Sequence, residues 1–206
     1  MSRELELAME LVKMLQDKEA VSAEGKSENK VQLSELAVGE VFKVGEHDFI
    51  VLEQMESATA VISKGFMAKD IVFDDDTRNY NESSLKELIE SDIQPVIEAA
   101  VGAENLVENE VDLTSVDMQN EFGTCTCKVR PITFDEARKY NNLIVAKDIG
   151  DWWWTCTPWS TEERGWQYSI TVVSPSGRID YDGYDYGFGV RPFCILKSNI
   201  FVSKGE

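Results

Sequence analysis

The chain has one histidine, four cysteines and no long apolar run, and each scarcity excludes a class of function. His47 is the only imidazole available for hydrolytic catalysis or a Cys/His zinc site. Cys125 and Cys127 are spaced C-x-C, which is tighter than the C-x-x-C pairs of zinc knuckles and redox sites. No apolar segment approaches the roughly 20 residues of a bilayer-spanning helix. We therefore predict no metal, no cofactor and no membrane insertion, and we expect buried, reduced thiols.

Basic residues are also scarce, with 20 Lys and Arg against 38 Asp and Glu and a formal net charge of −18. Binding to a nucleic acid backbone requires cationic side chains that displace counterions, so we predict no nucleic-acid partner. The first residues, MSRELELAMELVKMLQDKE, are too acidic and too regularly charged for a signal peptide. We therefore expect no secretion by the usual route.

Aromatic residues are concentrated in the last quarter of the chain. All five tryptophans lie between Trp152 and Trp166, and four tyrosines follow between Tyr168 and Tyr186. Asp, Ser, Thr, Glu, Arg and Gly alternate with these rings, which is the composition of a recognition surface. Side chains alternate between the two faces of a strand, so Trp152 and Trp154 should share one face and Trp153 should lie on the other. We predict that one of these faces is buried and the other is exposed.

Two stretches of this region, residues 159–168 and 180–186, lack the apolar spacing of a core strand, and we predict that both are loops. In a hairpin they would emerge at the same end of the domain and form a ligand-binding face. The alternative is that some of their rings only cover a sheet edge. The candidate ligand-binding residues are Trp159, Ser160, Glu162, Arg164, Trp166, Tyr168, Asp180, Tyr181, Asp182, Tyr184, Asp185 and Tyr186.

The aspartates of the second stretch could also suggest a calcium loop. Asp180, Asp182 and Asp185 surround Gly183, but the order of ligands and the distant glutamate of an EF-hand are missing. We therefore assign no metal to these carboxylates.

The N-terminal residues 1–20 are predicted to form a helix, because Leu5, Ala8, Val12 and Leu15 follow a short heptad pattern. Two heptads are too short for an independent coiled coil, so the helix is expected to dock on its own domain. The alternative is a contact between copies in a homo-oligomer. Residues 21–30 are small and polar and are predicted to be a linker.

Residues 31–206 are predicted to be one α+β domain with mixed or antiparallel sheets and two main helices. Three short β-rich segments, EVFKVG, DFIVLEQ and TAVISKG, indicate an antiparallel meander, and residues 174–177 a hairpin turn. The first helix follows a cap at Ser83 or Ser84, and Pro95 should break or restart it. The second begins at Thr133, with Glu136 completing a capping box.

Four segments of this domain resemble an uncharacterised domain family of Gram-positive bacteria and their phages. They are LAVGEVFKVGEHDFIVLE (36–53), YNESSLKELI (80–89), WWWTCTPW (152–159) and GVRPFCIL (189–196). The family has a Gly-x-x-Phe-x-x-Gly strand pair, an Asn-x-x-x-Ser-x-Leu helix start, Trp-Trp-Leu-Arg-Ser-Pro, and a closing Gly-Val-Arg-Pro. The chain departs from it at TCTP, where the family has Leu-Arg-Ser-Pro and the arginine is missing.

The closing motif is similar to that of C-type-lectin-like domains of the formylglycine-generating type, which include the variable proteins of diversity-generating retroelements. This resemblance implies a C-type-lectin-like fold that displays changeable residues near its C-terminus on a constant scaffold. Together with the two aromatic-polar stretches, it leads us to expect a non-enzymatic protein that binds or displays a protein or glycan ligand. The expected location is the cytoplasm or a phage particle.

Two other functions stay open at this point. One is a formylglycine-generating-like thiol oxidase that uses Cys156 and Cys194, whose strands are expected to pair, although no basic residue beside Cys156 would activate it. The other is a structural component of a phage or mobile element, assembled through the N-terminal helix. In the closing motif, we expect Gly189 to free the backbone and Arg191 to be a buried structural residue that binds several carbonyl or carboxylate groups.

Overall fold

The computed structural model describes residues 30–205. The helix predicted over residues 1–20 lies outside them, as does the oligomer contact that it would make. The predicted linker, residues 21–30, also lies outside them except for Lys30, with which the first strand begins.

The described residues form an α+β structure in which strands predominate. The strands are β1 (Lys30–Gln32), β2 (Val41–Val44), β3 (His47–Gln54), β4 (Ala58–Ser63), β5 (Ala68–Val72), β6 (Leu106–Val107), β7 (Asn109–Asp112), β8 (Thr124–Cys127), β9 (Val129–Arg130), β10 (Trp153–Pro158), β11 (Ser169–Val173), β12 (Ile179–Gly183), β13 (Gly187–Val190), β14 (Phe193–Lys197) and β15 (Phe201–Ser203).

Two large sheets and two small ones contain these strands. The first large sheet has the order β12-β11-β10-β13-β5, and the second has the order β2-β3-β4-β14-β6, with β9 also paired to β14. β10 and β13 run parallel, whereas the other pairings within the two large sheets are antiparallel. β1 pairs with β15, and β7 pairs with β8. The predicted mixed or antiparallel sheets are thus confirmed.

Both predicted turn regions lie where the sequence indicated. β2, β3 and β4 form the antiparallel meander. β11 and β12 form the C-terminal hairpin, in which the Ser174 amide donates to the Arg178 carbonyl at 2.8 Å. Gly177 has a φ of 80° in this turn, a conformation that suits a residue without a side chain.

The main helix, α1, covers residues 84–101 in three parts: Ser84–Leu88, a π-helical turn at Ile89–Ile93, and Gln94–Val101. Ser83 is its N-cap, with its side chain accepting from the Lys86 amide, as predicted. The π turn places Pro95 in the first turn of the last part, where its missing amide N–H is not needed. The helix is not broken at the proline: the backbone stays helical from the π turn into the last segment, which begins one residue earlier, at Gln94.

The second predicted helix is shorter than expected, so the prediction of two main helices is wrong. Helix α2 covers only Phe134–Lys139, and α3 covers Asn141–Ile144. The capping box is confirmed, since the Thr133 side chain accepts from the Glu136 amide and the Glu136 side chain accepts from the Thr133 amide. A capping box starts a helix but does not determine its length.

The central strand β10 corrects the alternation predicted for the three tryptophans. Trp153 and Trp154 are both fully buried, although successive side chains of a strand point to opposite faces. Trp154 packs in a core with Phe73 and α1, and Trp153 packs in a second core with Ala137 of α2. Because the sheet is covered on both faces at β10, neither face has to be exposed.

The closing motif has a structural role, as predicted for Arg191. Its buried guanidinium donates to the carbonyls of Ser63 at 2.9 Å and Ile144 at 2.7 Å, and lies over the Trp153 ring. The reason for Gly189 differs from the expected one. A Cβ at this position would lie 2.3 Å from the Phe66 ring, so the glycine is required for close packing and not for backbone freedom.

Candidate functional site

The first predicted loop, residues 159–168, connects β10 to β11 and is ordered by its own backbone. The Trp159 amide donates to the Ser169 carbonyl at 3.0 Å, which closes the loop at its base. The Trp166 amide donates to the Thr161 carbonyl at 3.1 Å, and Gly165 has a φ of 85°. These bonds hold Trp159 and Trp166 on one short, closed turn of chain.

Two residues from distant parts of the sequence anchor this loop. Arg78 is buried and donates to the Ser160 carbonyl at 2.6 Å and to a Glu121 carboxylate oxygen at 2.5 Å. Asp117 accepts from the Ser160 hydroxyl at 2.6 Å and from the Arg164 guanidinium at 2.5 Å. Sequence patterns could not identify Arg78 and Asp117, because both lie more than 40 positions from the loop.

The charge of Asp117 is maintained by these contacts. Partial desolvation raises the pKa of its carboxyl, but hydrogen bonds from Ser115, Ser160 and Arg164 outweigh that effect and lower the pKa to about 2. The carboxylate therefore stays ionised at any pH at which the protein is expected to work, and the loop keeps its anchor.

The second predicted loop is in part a strand, which corrects the sequence interpretation. Residues 179–183 form β12, the edge strand of the first large sheet, paired along its length to β11. Only residues 184–186 follow as a turn. An edge strand with one exposed face tolerates the alternating polar residues that suggested a loop.

Three of the predicted rings meet at the surface. The ring centroids of Trp159 and Tyr181 are 4.7 Å apart, those of Trp166 and Tyr181 are 4.9 Å apart, and the two indoles are 6.3 Å apart. Tyr181 is 40% exposed, and the two tryptophans are half-buried. Trp159, Trp166 and Tyr181 are called the aromatic patch below.

Two more candidate tyrosines are exposed close to the patch in sequence. Tyr168 is 58% exposed and its ring contacts that of Tyr184 at 5.7 Å, while Tyr186 is 60% exposed. Glu162, Arg164 and Asp185 are also exposed. Both predicted stretches therefore present side chains to solvent.

Two of the predicted ligand-binding residues are buried. Tyr184 is 8% exposed and belongs to the first core, and its carbonyl accepts from the amides of Phe73 and Asp74. Ser160 is 3% exposed because its hydroxyl donates to Asp117 under the loop. Both residues support the surface but do not form it.

The aspartates of β12 are engaged in local contacts. Asp180 pairs with Arg178 and accepts from the Tyr181 amide at 3.0 Å, and Asp182 accepts from the Gly183 amide at 2.8 Å. Within residues 30–205, no group of three or more His, Cys, Asp or Glu side chains could hold a metal ion. These carboxylates order the edge strand on which Tyr181 lies.

The four cysteines are free thiols in the interior. Cys156 and Cys194 lie on β10 and β14 in different sheets, so the expectation that their strands pair is wrong. Burial raises the pKa of each of these thiols to about 12. A hydrogen bond from Cys127 lowers the pKa of Cys125, and the same bond raises the pKa of Cys127.

Alkylation of the folded protein with iodoacetamide at neutral pH is expected to be slow and selective. A thiol with a pKa near 12 has roughly a thousandfold less thiolate than an ordinary cysteine. We expect Cys156 and Cys194 to react only after unfolding, and Cys125 to react first. Mass spectrometry of tryptic peptides over time, in buffer and in urea, measures this order. Rapid native modification of Cys156 or Cys194 would contradict it.

The chain matches no family model, no curated protein and no solved structure. Within residues 30–205, the helices are too short or too polar to cross a membrane.

Proposed function

We propose that this protein is a non-enzymatic binding or display protein whose aromatic patch contacts a protein or glycan ligand. The observation on which this depends is the mutual contact of the Trp159, Trp166 and Tyr181 rings at the surface. Contiguous, partly exposed rings offer a large contact area at a low entropic cost, because each ring has only two side-chain torsions. The anchors at Arg78 and Asp117 support this role, since a site held in place loses little entropy on binding.

The finer fold assignment belongs to the same proposal. We propose a C-type-lectin-like domain related to the Gram-positive and phage family, on the strength of the four sequence segments and the closing GVRP motif. The patch lies on the β10–β11 loop and on β12, near the C-terminus, where the variable proteins of retroelements display changeable residues. A cytoplasmic or phage-particle location is part of this proposal, and nucleic acids and membranes are not among the proposed partners.

A thiol oxidase is the less favoured candidate. Catalytic thiols are partly exposed and have a lowered pKa, whereas burial raises the pKa of Cys156 and Cys194. Their places in different sheets also weigh against a cooperating pair. The second alternative, a phage or mobile-element structural component, depends on the N-terminal residues outside the described range.

Replacing Tyr181 with alanine is expected to weaken ligand binding by about tenfold or more. Its ring contacts both indoles of the patch, so its loss removes contact area and lets the tryptophans reorient. The free energy of unfolding should fall by only about 1 kcal/mol, since the side chain is 40% exposed. Ligands are first selected with the intact protein from a glycan array and from a random peptide phage library, and affinities are then measured by calorimetry.

The control is Phe201→Ala, which removes an aromatic ring outside both stretches that is more exposed than Tyr181, at 67% against 40%. It should leave the affinity unchanged. Failure of both libraries to yield a ligand that depends on Tyr181 would reject the proposal. A glycan that depends on Tyr181 and a peptide that does not would restrict the ligand to sugars.

A further inference from the structure

A cavity of about 380 Å³ opens beside the turn that contains Met118, outside the aromatic patch. Its walls come from β7, from the chain between residues 114 and 118, and from the start of α2. Glu110 and Asp112 line it because they alternate with the buried Val111 and therefore share the outward face of β7. We call this cavity the acidic cleft.

The charges of the cleft do not balance. Arg130 and Glu136 both line it, but they neutralise each other through two hydrogen bonds of 2.6 Å. Asp135 and Arg138, which also line it, form an exposed ion pair at 3.5 Å. Among the described residues, no cation forms an ion pair with either remaining carboxylate, Glu110 or Asp112. The cleft therefore has an excess of two negative charges.

Apolar groups lie beside these carboxylates. Met118 is 77% exposed, more than any other large hydrophobic residue of the described chain, and it lines the cleft together with Phe134. A flexible thioether next to an aromatic ring adapts to apolar side chains of different shape. The turn that presents Met118 is fixed through Asp117, which accepts from Ser115 at 2.6 Å as well as from Ser160.

The two carboxylates and the neighbouring apolar side chains together indicate which kind of cationic ligand fits the cleft. A bare metal ion needs several converging ligands, and no group of three suitable side chains exists within residues 30–205. A polyamine would satisfy the carboxylates but would leave Met118 and Phe134 in water. A peptide with a cationic side chain next to apolar ones satisfies both. Glu110 can accept a guanidinium in its fork geometry. Asp112 contributes its charge and its second oxygen, because its Oδ1 already accepts from the Thr114 amide and hydroxyl.

We infer that the acidic cleft binds a basic peptide segment, with an arginine or lysine side chain between Glu110 and Asp112 and an apolar neighbour against Met118. The cleft is lined by none of the three patch residues, so this interaction does not depend on the proposed ligand of the aromatic patch.

The test uses the intact chain and the blocked peptide acetyl-Leu-Arg-Leu-amide, with an otherwise identical citrulline peptide as its neutral counterpart. Binding is followed by the NMR shift of the Met118 methyl group, in protein with isotope-labelled methionine, up to millimolar peptide. We expect the arginine peptide to shift this signal, and citrulline to weaken binding by about tenfold. Added salt should weaken the arginine peptide only.

Substitutions of the two carboxylates test whether the peptide binds in the acidic cleft. Glu110→Gln combined with Asp112→Asn keeps the side-chain shapes and should weaken the arginine peptide by about tenfold. Glu108→Gln is the matched control, because Glu108 is exposed near the start of β7 but does not line the cleft. It should change the affinity by less than about twofold.

Three results would overturn the inference: no Met118 shift at millimolar peptide, equal binding of the citrulline peptide, or displacement of the peptide by spermidine at equal concentration. The last would mean that the cleft recognises charge without the apolar contact. Loss of peptide binding in Tyr181→Ala would instead place the peptide on the aromatic patch. In that case the inference about the acidic cleft would fail, while the proposed function of the patch would stand.

Discussion

Trp154→Ala is expected to lower the free energy of unfolding by about 4 kcal/mol. The indole is fully buried, with its ring centroid 5.6 Å from that of Phe73 and 4.8 Å from that of Phe188. Its Nε1 donates to the Ile71 carbonyl at 2.7 Å. Alanine would leave a cavity between two rings and remove the hydrogen bond to the Ile71 carbonyl on β5.

Urea denaturation followed by circular dichroism measures this loss, and the melting temperature should fall by roughly 10 °C. Trp154→Phe is the matched control, because it keeps a ring in the core and removes only the hydrogen bond and part of the volume. It should lose about 1–2 kcal/mol. A loss below about 1 kcal/mol for Trp154→Ala would show that the Phe73 and Phe188 rings do not pack around this side chain.

Arg130→Met is expected to destabilise the fold by about 3–4 kcal/mol, because it leaves the Glu136 carboxylate partly buried without its partner. Arg130 is 3% exposed, binds both Glu136 oxygens at 2.6 Å, donates to the Pro131 carbonyl, and lies 4.3 Å from the Phe193 ring centroid. Methionine keeps the apolar stem against Phe193, so the loss reports the ion pair more than the packing.

A double-mutant cycle measures how much the interaction between Arg130 and Glu136 itself contributes to the free energy of unfolding. Glu136→Gln alone leaves a buried guanidinium unpaired, whereas Arg130→Met with Glu136→Gln removes both charges. We expect the double variant to be more stable than Arg130→Met, because no uncompensated charge stays in the interior. Additive losses would mean that the two side chains act independently.

The same pair predicts a pH dependence. Burial raises the pKa of Glu136, but the hydrogen bonds and charge of Arg130 and the contacts of Thr133 outweigh burial, so its pKa lies below the ordinary 4.5. The unfolded chain then binds the proton more readily than the folded one, so this stabilisation is complete above the ordinary pKa and is lost as the pH falls through the folded pKa. We expect stability to fall as the pH drops below the ordinary carboxyl pKa of 4.5, and the Glu136→Gln variant to lose less over the same acid range.

Features that depend on neighbours in the sequence were predictable. The Thr133 capping box, the Ser83 cap and the hairpin turn at residues 174–177 each involve groups within four positions of each other. Their geometry follows from hydrogen bonds that the local backbone makes in any fold. The concentration of rings in the last quarter also indicated the region where an aromatic patch forms.

Features that depend on which distant elements pack over a side chain were not predictable from the sequence. Whether Trp153 or Trp154 is buried depends on what covers each face of β10, and both faces are covered. Tyr181 and Tyr184 have nearly the same composition around them, yet Tyr181 is 40% exposed and Tyr184 is 8% exposed. That difference depends on residues 73–74, which bind the Tyr184 carbonyl from more than 100 positions away.

Composition and short-range pattern decided that this chain is acidic, α+β, rich in antiparallel strands, and equipped with an aromatic C-terminal region. Tertiary structure alone decided which rings reach water and which carboxylates form no ion pair among the described residues. Asp117 and Ser160 are 43 positions apart, and Arg78 and Ser160 are 82 apart. Exposure and charge pairing are properties of surfaces that meet only after folding, and a linear pattern reports the periodicity of an element but not what packs against it.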